Sequence, residues 1–219
     1  MTMKNLILVL FVFISNMVLS QLNTDSIEAI MIRLTRKDRD LKGSSFLYTS
    51  ERCKKVSKIH LDYSLKYLNK YTYSHDETIP FYCKKVLKSP SDRYDLFNKD
   101  SVSVKITEYY EKRTIWNYSG EIMTGCYVLD INDPNINQMV AEELFQNFKN
   151  SPTHYKSMMK TLPDGGIYRC NFSIGYTKEM LNGVEFIRFD CIGVFDRSTF
   201  YSTNPSLFNK SKQSNFYFD

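Results

Sequence analysis

The stretch from residue 167 to residue 195 reads IYRCNFSIGYTKEMLNGVEFIRFDCIGVF. Polar and apolar residues alternate in its two halves, Ile167 to Thr177 and Val184 to Phe195, and this period of two is typical of a half-buried β-strand. Asn182-Gly183 lies between the halves, and an Asn-Gly pair favours a two-residue hairpin turn. We therefore predict that these two runs form an antiparallel hairpin.

The register of this hairpin decides whether two of the five cysteines can form a disulfide. If the hairpin is centred between Met180 and Leu181, Cys170 lies opposite Cys191, and the two sulfur atoms come within bridging distance. Cys170 and Cys191 are therefore the disulfide candidates. An odd number of cysteines leaves at least one thiol outside any intramolecular pair.

Helical periodicity precedes the hairpin. Apolar residues recur at steps of three and four after Asp25, after Ser50 and after the helix-start signal Asp133-Pro134. A short helix is expected from Thr153 to Leu162, and Ser101 to Thr107 alternates like a strand. The order of these elements predicts one α+β domain.

The N-terminal segment of the chain has the pattern of an export signal. Residues 1–20 combine one lysine, an apolar run and a small residue at position 20, as in a cleaved signal peptide, although an uncleaved anchor remains an alternative. We expect an exported protein, either secreted or held in the periplasm or cell envelope, with no transmembrane segment in its mature part. The predicted domain covers 21–196, with an insertion around 76–117, and a tail follows at 197–219.

Charge and motifs exclude several functions. The net charge of +5 is mild, and basic pairs such as Lys84-Lys85 are scattered, so that nucleic acid is not an expected partner. The sequence contains no HExxH and no GxSxG, which argues against the common metalloprotease and serine-hydrolase sites. Of the three histidines, His75 and His154 are predicted in loops or at element ends, where ligand-binding residues concentrate, whereas His60 lies within a helix.

Three segments together resemble the CAP superfamily (cysteine-rich secretory proteins, antigen 5 and pathogenesis-related proteins). Ala141 to Met159 is similar to the family's helix followed by Ser-Pro, a histidine and an apolar pair, with Phe148 in place of its tryptophan. Gly120-Glu121 resembles the start of its Gly-Glu-Asn motif, although Ile122 replaces the asparagine. Phe172 to Tyr176, with the strand that follows, looks like its closing hairpin.

This resemblance implies a fold and a site. The implied fold is an α-β-α sandwich with a small antiparallel sheet flanked by helices. The implied site is a cleft in which His75, Glu121, Glu143 and His154 bind a ligand, and in which His75 and His154 hold a divalent metal such as Zn²⁺. Family members are described as binding sterols or fatty acids, as ion-channel toxins and, in a few cases, as proteases.

Three hypotheses of function follow. The first is a secreted CAP-like binding module whose cleft takes a metal, a lipid or a peptide. The second is a metal-assisted hydrolase that uses the same cleft, with Glu121 as the general base. The third is a structural or interaction protein outside the CAP superfamily. Fold alone does not decide between them, and whether the protein is an enzyme stays open.

Overall fold

The helices and strands of a computed structural model cover most of the predicted domain. The structure describes residues 22–68, 74–97, 103–107, 110–129, 131–162 and 167–202; of residues 103–107, 110–116, 181 and 198–202 it describes the backbone only. The predicted signal peptide and the tail beyond residue 202 lie outside the described residues.

Five α-helices among the described residues pack around the sheet. The second begins one residue after Ser50, whose side chain accepts a hydrogen bond from the backbone N–H of Cys53, and this confirms the predicted start. Pro152 opens the fifth, because proline fits the first turn of a helix but cannot continue the preceding one. The bounds are α1 Thr24–Leu41, α2 Glu51–Tyr67, α3 Pro90–Asp95, α4 Ile136–Asn150 and α5 Pro152–Met158.

The described strands form one five-stranded sheet in the order β1-β4-β5-β3-β2. Only β1 pairs in parallel, with β4, and the other described neighbours are antiparallel. The predicted hairpin is β4-β5, and β5 continues to Ser202, six residues past the predicted end of the domain. The bounds are β1 Leu47–Thr49, β2 Ser103–Thr107, β3 Tyr110–Val128, β4 Tyr168–Leu181 and β5 Val184–Ser202.

The predicted disulfide between Cys170 and Cys191 is wrong. The turn of the hairpin is Asn182-Gly183, with φ angles of 52° and 81°, so that Cys170 pairs with Phe195 and Cys191 with Ile174. The two cysteines are thus displaced by four residues along the strands, which is about 13 Å. A disulfide needs Cα atoms within about 7 Å, and both thiols are free.

Helices cover both faces of the sheet. On the first face, α1, α4 and α5 enclose a core that includes Met31, Leu144 and Phe172. On the second face, α2 and α3 cover a smaller core that includes Val56 and Met123. Two helical layers with a sheet between them form an α-β-α sandwich, and the predicted fold class is confirmed. Within the described residues, none of the helices combines the length and the apolar character that crossing a membrane requires.

Candidate functional site

Glu121 lies in the middle of β3, where it pairs with Val194 of β5. Side chains alternate between the faces of a strand, and its neighbour Ile122 belongs to the first core. Glu121 therefore points to the second face, below α2 and α3, where its side chain has no exposed surface. A buried carboxylate must be paired to remain ionised.

Arg93 of α3 and His75 provide that pairing. Arg93 donates from Nη2 to both carboxylate oxygens of Glu121, at 2.8 and 3.0 Å, and His75 Nδ1 lies 2.9 Å from Oε1. Burial alone would raise the pKa of Glu121, but the hydrogen bond from His75 and the electrostatic interactions with His60 and Arg93 outweigh it, so that the pKa lies below its usual 4.5. Glu121 is therefore ionised at neutral pH and accepts from its partners.

A second buried carboxylate, Glu77, extends the cluster behind Arg93. Arg93 Nη1 lies 3.3 Å from Glu77 Oε1, and His60 Nδ1 lies 3.3 Å from the same oxygen. The other ring nitrogen of His60 is 3.0 Å from the carbonyl oxygen of Ser74, which can only accept, so that His60 donates there. The guanidinium thus bridges two carboxylates, and the cluster ties α2 and α3 to β3.

Sequence reasoning did not place His60, Glu77 or Arg93 in the site. The available signal was the segment Ser89 to Asp92, in which Ser89 and Asp92 form a capping box at the start of α3. That box fixes the first turn of α3 and so positions Arg93, the next residue. The sequence marks this segment as turn-forming, but it does not reveal which carboxylates the arginine meets.

His75 is the part of the cluster that reaches solvent. Its side chain is 40% exposed, in contrast to the fully buried Glu121. Because the ionised Glu121 requires a donor, Nδ1 of His75 carries a proton, and in the neutral ring Nε2 keeps its lone pair. The arrangement resembles a metal-binding or proton-accepting histidine oriented by a carboxylate behind it.

His154 lies on α5, in a half-buried position. Burial lowers the pKa of His154, and the electrostatic interaction with His75 lowers it further. Its ring packs edge-to-face on Phe148, with 5.7 Å between the ring centroids, which fixes its position at the end of α4. That His75 and His154 share a site stays a prediction.

Glu143 does not join them. It is exposed on α4, which packs on the first face of the sheet, whereas Glu121 points to the second. Burial raises the pKa of the Cys126 thiol to about 12, and the charge of Glu143 contributes to that rise. The predicted set of four is thus divided, with Glu143 outside the cluster.

The cluster does not supply the three or four protein ligands that a zinc site usually has. Over the described residues, no three or more His, Cys, Asp and Glu side chains are arranged to hold a metal ion. Zinc sites in enzymes use three protein ligands and one open position. In this structure the carboxylate of Glu121 is already bound by Arg93, which leaves the two imidazoles as candidate donors.

Comparison with known proteins gives two structural likenesses. No protein-family model matches the chain, and no curated protein matches its sequence. An outer surface protein from Borrelia burgdorferi aligns at 12% identity and a TM-score of 0.39, over 78% of this chain and 94% of that one. An extracellular protein from Bacillus anthracis that contains an SCP domain aligns at 14% identity and a TM-score of 0.34, over 77% of this chain and 41% of that one. At these scores neither likeness establishes a family, and the layered fold rests on the elements described above.

Proposed function

We propose that this chain is an exported CAP-like binding module whose ligand contacts the solvent-facing side of His75, with His154 as the second contact. The observation that carries the proposal is the hydrogen bond of 2.9 Å between His75 Nδ1 and the buried carboxylate of Glu121. A carboxylate held in this way fixes the orientation and tautomer of the ring. Nε2 of His75 is then available to a metal ion or to a hydrogen-bond donor of a peptide or lipid headgroup.

Binding is better supported than hydrolysis. A general base needs an oxygen that can take up a proton near neutral pH. Both oxygens of Glu121 accept hydrogen bonds from Arg93, and its pKa is lowered rather than raised. We therefore do not propose Glu121 as a general base; its role in our proposal is to orient His75.

Zn²⁺ is the first ligand to test, because two neutral imidazoles are donors that it accepts. With His75 and His154 alone, the remaining coordination positions would be filled by water or by a second ligand. Such an incomplete set suits reversible binding better than a permanent structural metal.

The test is thermal unfolding of the purified protein with added Zn²⁺ and with a chelator. Selective binding to the folded state raises the melting temperature by mass action. We expect a Zn²⁺-dependent rise in the wild type that disappears in His75→Ala and in His154→Ala. Lys156→Ala, an exposed substitution two residues from His154 on the same helix, and Glu143→Gln should keep the full rise.

Two outcomes would refute the metal part of this proposal: no rise in the wild type, or an equal rise in both histidine variants. The orientation of His75 is measured separately from its ring ¹⁵N chemical shifts. In Glu121→Gln the neutral carboxamide no longer favours a proton on Nδ1 as strongly, so that the tautomer population should change. An unchanged population would contradict the orienting role of Glu121.

A further inference from the structure

A closed loop begins two residues after His75. Residues 77–88, here called the 77–88 loop, leave and rejoin the domain at one place, because the backbone N–H of Glu77 donates to the carbonyl of Lys88 at 3.2 Å. Arg93 Nη1 also donates to the carbonyl of Leu87 at 3.2 Å. The loop is thus fixed at its base by the same arginine that holds Glu121, as in a compact Ω-loop.

The tip of the loop is also hydrogen-bonded. The N–H of Phe81 donates to Lys85 at 3.1 Å, and the N–H of Lys85 donates to Tyr82 at 3.0 Å. Between them, Cys83 and Lys84 have φ angles of 52° and 59°, a region that residues other than glycine seldom occupy. Such conformations persist where the surrounding structure imposes them, and they concentrate in functional segments.

The loop presents apolar side chains to solvent. Ile79, Tyr82 and Val86 are 43%, 36% and 38% exposed. Phe81 packs behind them on Tyr63 and Tyr67 of α2, with ring centroids 6.1 and 5.8 Å apart. Three apolar side chains are thus exposed on one short, hydrogen-bonded loop, and exposed apolar groups of this kind can take part in an interaction surface.

The charges on the loop are positive. Lys84, Lys85 and Lys88 are exposed, and the only acidic residue of the loop, Glu77, is buried against Arg93. Lys66 of α2 adds a fourth cation beside the loop, with its Nζ 5.6 Å from the centre of the Phe81 ring. A loop that exposes both apolar side chains and lysines is complementary to a surface with an apolar interior and negatively charged groups at its boundary.

We propose that the 77–88 loop docks onto the surface of an anionic lipid bilayer. Its aromatic and aliphatic side chains would enter the interfacial region, where tyrosine is favoured, and its lysines would extend to the headgroups. Each lysine near an anionic membrane strengthens binding roughly fivefold. Docking would bring His75 to the membrane surface, although the proposal does not depend on what His75 binds.

The test uses the purified protein and two kinds of vesicle, phosphatidylcholine alone and phosphatidylcholine mixed with phosphatidylglycerol. Cosedimentation measures binding. An environment-sensitive fluorophore on Cys83, which is exposed while the other four cysteines are buried, reports whether the loop tip enters the bilayer. We expect binding to the anionic vesicles, with a blue shift of the fluorophore, and a loss of binding at high salt.

Two variants of the loop are compared with matched controls elsewhere. Lys84→Gln with Lys85→Gln should weaken binding roughly 25-fold, and Ile79→Ser with Val86→Ser should remove the blue shift. Lys37→Gln with Lys55→Gln makes the same change of charge at exposed positions of α1 and α2. Leu41→Ser with Met180→Ser makes the same polar change at exposed positions on other surfaces. Circular dichroism confirms that each variant is folded.

Binding to the anionic vesicles that only the loop variants weaken would support the proposal. The proposal is overturned if the wild type binds neither kind of vesicle, or if the loop variants and their controls lose binding equally. Loop substitutions that change self-association without any vesicle binding would assign the surface to a second copy of the chain. If nucleic acid displaces the protein from the vesicles and added lipid does not restore binding, the loop would be assigned to nucleic acid instead.

Discussion

Nδ1 of His75 lies 2.9 Å from Oε1 of Glu121, although 46 positions separate the two residues in the chain. The same oxygen accepts from Arg93 Nη2 at 2.8 Å. A loop, a strand and a short helix therefore meet at one buried carboxylate. The ring of His75 reaches solvent, whereas the side chains of Glu121 and Arg93 that hold it are buried. This relationship makes His75 the centre of the proposed binding site.

Arg93 is predicted to be critical for stability. Arg93→Met removes the cation from two buried carboxylates, those of Glu121 and Glu77, and breaking a buried ion pair from one side costs about 3–5 kcal/mol. Urea unfolding measures this loss, and Arg93→Lys should lose less because the charge remains. Arg33→Met, on the exposed part of α1, should cost less than about 1 kcal/mol. An equal cost for the two methionine variants would contradict the structural role of Arg93.

The lowered pKa of Glu121 predicts a pH dependence of stability. A carboxyl group whose pKa is lower in the folded state stabilises the fold above its unfolded value of 4.5, and that contribution is lost as the pH falls through the folded value. Between about pH 7 and about pH 3, the free energy of unfolding should therefore fall further in the wild type than in Glu121→Gln. Burial raises the pKa values of Glu28 and Asp196, which act in the opposite direction in both proteins and cancel in the comparison. Parallel curves would refute the assignment.

Replacing Gly193 in β5 with a larger residue is predicted to lower the free energy of unfolding. A Cβ atom at this position would lie 2.7 Å from a ring carbon of Phe172 and 3.1 Å from Ile122. Overpacking of this kind costs about 1–3 kcal/mol, so that Gly193→Ala should lower the free energy of unfolding by that amount. Gly120→Ala on the neighbouring strand meets open space and should be neutral or slightly stabilising. Equal effects of the two substitutions would show that the packing at Gly193 is looser than described.

The five thiols are predicted to react in two classes. Cys83 is exposed, whereas the other four cysteines are buried, and burial raises the pKa of Cys170 and Cys191 well above the usual value. Because the thiolate is the reactive form, a thiol reagent should label one cysteine in the folded protein and five in denaturant. Three reactive thiols in denaturant would instead indicate a disulfide and would restore the pairing that the strand register excludes.

The hairpin shows that a local sequence pattern can predict strands without predicting their register. Alternation and the Asn182-Gly183 pair predicted two strands, and both exist. The predicted register placed Cys191 opposite Cys170, and the observed one places Phe195 there. That shift of four residues is even, so that every side chain keeps its face and the hydrophobic pattern fits both registers equally. The positive φ angles of the turn decided between them, since asparagine and glycine tolerate these angles best.

The sequence by itself determined four of the five described helices, the hairpin and the α+β class, because each depends on periodicity and capping within a short segment. It also marked His75, Glu121 and His154 as candidates. Only the tertiary structure decided that Arg93 binds Glu121, that Glu77 and His60 lie behind it, and that Glu143 faces solvent. A buried charge needs a partner of opposite sign, but the partner can come from any segment that the fold brings near, and a linear pattern does not specify that segment.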